Sequence, residues 1–249
     1  MSNEKKYHFN DFTTSNYKRL LGIAKQYHTF KTLSDFNPEE NFIIWRHDVD
    51  FSMHRALKMA QIEAELGIRS TYYILLHSEF YNLLEKEITG LVNQIIMLGH
   101  EIGLHFDSHY ANTENEADLE KELSFEKNVL EKLFNIKISS FCFHINNEFT
   151  LKCNKSAYAG LSNAFSEYFQ KEIAYCSDSN GYWRFTRLED FLLNPNNKQA
   201  QVLTHPELWQ DEIMSPKQRV NRCADLRAEK SKQWYNDILT SHNRENIDW

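Results

Sequence analysis

The sequence predicts an α/β fold built on a mainly parallel sheet, open or closed into a barrel. Short apolar runs suited to buried strands alternate with stretches of helical periodicity through the middle of the chain, and serial β-α units of this kind build a parallel sheet. Of the 249 residues, 41% are hydrophobic and 14% aromatic, enough to bury a sizeable core. Seven glycines and four prolines are too few for a flexible linker, and no repeat or low-complexity tract divides the chain. One domain over residues 1–249 is therefore expected, with helical extensions over 1–40 and 210–249.

Phe42-Ile43-Ile44-Trp45 is a short apolar run typical of a buried strand. Behind it, Met53, Ala56, Leu57, Ala60 and Ala64 make one helical face that Gly67 stops. Ser70 to Leu75 is β-branched and aromatic, hence a strand. Leu91 to Leu98 reads as a helix ended by Gly99, and Glu101 to His105 as the next strand. Thr113 and Glu116 have capping-box spacing ahead of a long helix lined by Leu119, Leu123, Leu130 and Leu133. Phe141 to Phe143, Ile173 to Tyr175 and Gln201 to Leu203 are three further strands.

Net charge is −7, with 28 basic residues scattered among 35 acidic ones. That pattern disfavours a nucleic-acid or anionic-membrane partner. No apolar run follows the first lysines, and none reaches the ~20 residues of a membrane span. A cytoplasmic protein without a transmembrane segment is expected. Cys142, Cys153, Cys176 and Cys223 are too widely spaced for a C-x-x-C motif and read as buried free thiols.

The chemistry-bearing residues all fall where strands end, the rim on which α/β folds place their sites. Asp48 and Asp50 follow the first strand and, two apart in extended chain, point to one side. One can bind a metal while the other takes a proton; as a polar turn, the same residues would merely cap the next helix. In Gly99 to His109, a helical turn after the strand would stack His105 and His109 as neutral nitrogen ligands, to which Asp50 or Asp48 adds an oxygen. His100 lies before the strand, at the wrong end. His144 and Asp178 follow two other strands. His205, after the 201–203 strand, is placed either to protonate a leaving amine or to bond a neighbouring strand.

Together these residues resemble the polysaccharide deacetylases of the NodB-homology type, carbohydrate esterase family four, over about Phe42 to Trp209. Gly99-His100-Glu101-Ile102-Gly103-Leu104-His105-Phe106-Asp107-Ser108-His109 matches that family's Gly-His-Glu-Ile-Gly-x-His-[ST]-x-x-His signature except at Phe106. The resemblance implies a distorted (β/α) barrel of about seven strands, with Asp50, His105 and His109 as metal ligands. It implies Asp48 as base and His205, in Leu203-Thr204-His205, as general acid. Zinc suits such a ligand set best, and nickel, cobalt and iron share it.

The Asp-Val-Asp spacing of Asp48 and Asp50 departs from the family's adjacent pair and looks like that of members acting on lipid-linked or nucleotide-linked sugars. Phe141 to Asn147 stand where polymer-active members carry Arg-Pro-Pro-Tyr-Gly, and Asp178 stands nearest their Asp-Trp pair, with Arg184 as a substitute cation. Arg46, His144, Asp178, Arg184 and Trp209 are accordingly expected to meet substrate. Arg219, Arg222 and Arg227, behind His205, either cover a phosphate or form a solvated helix face. The implied activity is metal-dependent N-deacetylation or deformylation of a small or lipid-linked N-acylated sugar in surface-polysaccharide or glycolipid assembly. Hydrolysis of another small amide, or carbohydrate binding without catalysis, are the alternatives.

Overall fold

A computed structural model describes residues 1–248. The helices are α1 (Asn3–Lys6), α2 (Thr14–Tyr27), α3 (Met53–Glu65), α4 (Lys86–Met97), α5 (Glu116–Phe134), α6 (Glu167–Lys171), α7 (Leu188–Leu193) and α8 (Pro216–Ser241). The strands are β1 (Thr29–Lys31), β2 (Phe42–Val49), β3 (Thr71–Leu75), β4 (Glu101–Phe106), β5 (Ser140–Phe143), β6 (Ala157–Tyr158), β7 (Leu161–Asn163), β8 (Ala174–Ser177) and β9 (Gln199–Thr204).

Seven strands run parallel in the order β7-β5-β4-β3-β2-β9-β8. Two-residue β6 adds an antiparallel edge. β1 pairs with residues 42–44 of β2 on the edge that β3 takes over at residue 46, because β9 occupies the other edge. The N-terminal extension thus contributes a strand as well as helices. No helix among the described residues is long and apolar enough to cross a membrane.

The sheet is strongly curled. The Gln201 side chain on β9 donates to the Ala164 carbonyl just past β7 at 3.3 Å. Five strand steps separate β9 from β7, roughly 24 Å in a flat sheet at ~4.8 Å per step. The parallel path therefore wraps into a distorted barrel, and its two edges are not hydrogen-bonded to each other among the described residues.

All eight residues of β2 are buried, because both faces of the strand are covered. Phe42 and Ile44 pack inside the barrel with Tyr73, Cys142 and Phe169. Ile43 and Trp45 face outward against Tyr17, Leu20, Leu21 and Ala24 of α2. Alternation then sends Arg46 and Asp48 inward. The long helix α5 starts two residues later than the Thr113–Glu116 spacing suggested: Asn115 is its cap and accepts from the Asp118 amide at 3.0 Å. Thr113 is buried with its hydroxyl unpartnered.

Candidate metal and catalytic site

Asp50, one residue past β2, meets two imidazoles at the open end of the barrel. His105 is the fifth residue of β4, paired in register with Leu75 and Cys142. His144 follows β5, where its backbone N–H extends the ladder by donating to the Phe106 carbonyl at 2.9 Å. Asp50 Oδ1 lies 3.1 Å from His105 Nε2 and 3.3 Å from His144 Nδ1. The two nitrogens are 3.2 Å apart.

This triangle fits one face of a metal's coordination shell. Ligand atoms ~2.05 Å from a tetrahedral zinc are about 3.3 Å from one another. Asp50 Oδ1 is also buried without a hydrogen-bond partner, the kind of orphaned oxygen that a cation satisfies. Burial pushes the Asp50 carboxyl up, but His105 and His144 outweigh it and hold the group far below the usual carboxylate range. The same contact with Asp50 raises His144 against its own burial.

His109 is not brought to this cluster. A stacked His105–His109 pair needs a helical turn between them, and the chain makes a different one. Asp107 Oδ1 accepts from the amides of His109 and Tyr110 at 2.9 and 3.2 Å, folding Asp107 to His109 into a tight turn that leaves His109 exposed. His144, expected to touch substrate, occupies the third corner instead. His100 behaves as expected: it is buried at the far end of β4, with Nε2 at 3.0 Å from the Ala60 carbonyl.

Asp48 lies deeper in the barrel. Its Oδ2 is 3.5 Å from Arg46 Nη2 and 3.8 Å from His105 Nε2. Its Oδ1 accepts from the Cys142 thiol at 3.4 Å. Arg46 is buried beside the Tyr73 ring, and burial opposes its charge, but Asp48 more than restores it and raises the guanidinium above its ordinary value. Arg46 thus holds the Asp48 carboxylate from below.

On the opposite wall, His205 follows β9 with Nε2 at 3.9 Å from Asp50 Oδ2. Its Nδ1 bonds Asp178 Oδ1 at 2.7 Å. Asp178 is fully buried and also accepts from the His205 amide and from Trp209 Nε1. Asp178 and Trp209 therefore orient the histidine and are not open to a ligand, in contrast to the sequence expectation. Burial pushes His205 down, yet Asp178 and then Asp50 raise it to about 10.

Arg184 is exposed over the Phe185 ring, away from the cluster. Arg219 is fully buried and donates to the Gly181 and Phe9 carbonyls. Arg222 and Arg227 pair with Glu212 and Glu85. Arg219, Arg222 and Arg227 are thus each engaged by protein groups rather than held open for a phosphate. A cavity of about 310 Å³ opens beside the cluster and is lined by Asp50, Phe51, Asn180, His205, Glu207 and Lys217. Glu207 was missed in the sequence. It is 2% exposed, its Oε2 is unpartnered, and burial pushes its carboxyl well above the usual range. Its position two residues past His205 was the only signal. A larger groove of about 700 Å³ separates the Phe51 and Phe80 rings from α8.

No family model and no curated protein matches the chain. Solved structures do. The chain is similar to a family 4 carbohydrate esterase from Bacillus anthracis, at 16% identity over 84% of this chain and 86% of that one, with a TM-score of 0.47. It is similar to the chitin deacetylase of the fungal pathogen Colletotrichum lindemuthianum, at 15% identity over 74% and 81%, TM-score 0.44. The peptidoglycan deacetylase PdaC of Bacillus subtilis aligns at 12% identity over 83% and 99%, TM-score 0.42. A family 4 pseudoenzyme from Bacillus anthracis aligns too, at 12% identity over 76% and 63%, TM-score 0.45. These likenesses concern the path of the chain, so the functional reading rests on the residues themselves.

Proposed function

We propose that the protein is a metal-dependent hydrolase of the polysaccharide deacetylase type, removing an acetyl or formyl group from the nitrogen of a sugar. The observation that carries this reading is the Asp50–His105–His144 triangle, flanked by a buried carboxylate on one side and a protonated imidazole on the other. Asp50, His105 and His144 would hold the ion. A divalent cation there lowers the pKa of a water towards ~7 and polarises a carbonyl.

Asp48, steadied by Arg46 and Cys142, accepts the proton of the attacking water. His205 is the proton donor to the departing nitrogen, and Asp178 keeps it charged at neutral pH. Such a donor is typically worth ~10²–10⁴-fold in rate. Glu207 lines the same cavity, and burial raises its carboxyl well above the usual range.

The 310 Å³ cavity lies at the small end of the usual ~300–1,000 Å³ range of ligand pockets. That size supports a single N-acylated sugar, free, nucleotide-linked or lipid-linked. Zinc is the ion of first choice for two imidazoles and a carboxylate. Metal analysis of the purified protein, followed by acetate- and formate-release assays on nucleotide-linked N-acyl sugars and on chitin oligomers, tests the proposal. Stoichiometric metal with turnover of the small donor is expected. Turnover of polymer alone overturns the substrate, and absence of metal overturns the mechanism.

A further inference from the structure

Cys142 stands between the two halves of the chemistry. Its Sγ lies 3.0 Å from His105 Nδ1 and 3.4 Å from Asp48 Oδ1, and the residue is 1% exposed. Its position on β5 is fixed by parallel pairing with β4, which sets Cys142 directly beside His105. The thiol therefore touches a proposed metal ligand with one side and the proposed base with the other.

Counting hydrogens leaves one arrangement. His105 Nε2 faces Asp50 and His144, so it is the nitrogen that offers a lone pair to the ion. A neutral imidazole that uses Nε2 in this way carries its hydrogen on Nδ1. The neighbour of that hydrogen is Sγ, which accepts it. The thiol's own hydrogen then points to Asp48 Oδ1. Metal-bound histidines usually pass their second N–H to a carboxylate or a carbonyl. Here a sulfur takes that place and hands the chain on to the base.

We propose that Cys142 is a positioning residue that fixes the His105 tautomer and aims Asp48 at the water, through a continuous His105 Nδ1–H···Sγ–H···Oδ1 Asp48 link. Loading His105 Nε2 makes Nδ1–H a stronger donor, and hydrogen bonds in a chain polarise one another. Occupancy of the metal site thereby tightens the hold on the base. This inference rests on the metal reading of the Asp50–His105–His144 triangle.

The test compares wild-type protein with Cys142→Ala, Cys142→Val and Cys142→Ser, each titrated with Co²⁺ after metal removal and assayed for deacylation after reloading. Valine fills the volume without a hydrogen bond, so at least one non-bonding variant keeps the core packed. Alanine and valine are expected to weaken cobalt binding by ~10–100-fold, the usual cost of losing such an outer partner, and to lower kcat with KM nearly unchanged. Serine, which both donates and accepts, is expected to recover most of both. Wild-type affinity and kcat in the alanine or valine variant overturn the link. A thiolate-to-cobalt charge-transfer band in the wild type also overturns it, because Asp48, His105 and Cys142 would then be holding the ion directly. Wild-type protein that takes up no stoichiometric cobalt removes the metal reading itself, an outcome visible before any variant is made.

Discussion

Asp178 grips His205 twice, accepting from its backbone N–H at 3.0 Å and bonding its ring Nδ1 at 2.7 Å. A fully buried carboxylate so placed fixes which ring nitrogen faces the cavity and keeps the ring charged. His205 is raised from its ordinary 6.5 to about 10, so the charged imidazole is present below that value and lost as pH rises through it. Asp178→Asn is expected to lower kcat by roughly 10²–10⁴-fold. The residual activity should lose its alkaline limb earlier, nearer the ordinary histidine value. A pH–rate profile of both proteins checks this, and an unmoved alkaline limb refutes it.

Metal content distinguishes the three histidines near the rim. His105→Ala and His144→Ala are each expected to abolish stoichiometric metal, since each supplies one corner of the triangle with Asp50. His109→Ala, altering an exposed side chain on the Asp107 turn, is expected to keep it. Elemental analysis of the three variants decides, and a metal-free His109→Ala protein would restore that residue to the ligand set.

Gly103 of β4 faces the barrel interior, where an added Cβ would overlap the Tyr73 ring. Tyr73 in turn backs the Arg46 guanidinium under Asp48. Gly103→Ala should destabilise the fold by ~1–3 kcal/mol, the usual cost of overpacking. Chemical denaturation measures this, and a change below about 0.5 kcal/mol would show that the ring moves freely.

Glu126 of α5 is buried, and burial, with Glu122 and Asp107 adding to it, raises its carboxyl to about 8. Its neighbour His77, at 3.6 Å, is itself lowered by burial and gives no compensating charge at that pH. A carboxyl raised in the folded state favours folding at low pH. That stability is present below the ordinary 4.5 and is lost progressively as pH rises to about 8. Glu126→Gln should therefore raise the unfolding free energy at pH 9 by an amount of order 1–3 kcal/mol, seen as a higher Tm, with little effect at pH 4. An equal effect at both values contradicts the assignment.

Strands β2 to β5, β8 and β9 were legible because each is an apolar run of strand length bounded by polar or turn residues. β1, β6 and β7 were not: with two or three residues each, they carry no periodicity and exist through pairing with distant neighbours. The same division applies to the site. Asp48 and Asp50 share a side because local alternation in extended chain dictates it. His144 reaches Asp50 only because β5 lies beside β4, a relation no spacing reveals. His109 was misplaced because four-residue spacing brings side chains together only on a helix, and Asp107 captures the local amides first. Asp178 and Trp209 were found at the right place and given the wrong task, since burial decides whether a polar group meets ligand or neighbour.

Arg219 joins three stretches of chain that the sequence keeps far apart. Its guanidinium lies over Phe12, bonds Phe9 near the start, and bonds Gly181 in the loop that begins at Asp178. Gly181 has a positive φ and a Cβ there would meet Pro216, the first residue of α8. The loop that carries the carboxylate orienting His205 is thus braced by α8, which follows every residue of the cluster in the sequence. Shortening the chain ahead of α8 is therefore expected to loosen the Asp178 loop, and with it the hold on His205, before it disturbs Asp50, His105 and His144 on the sheet.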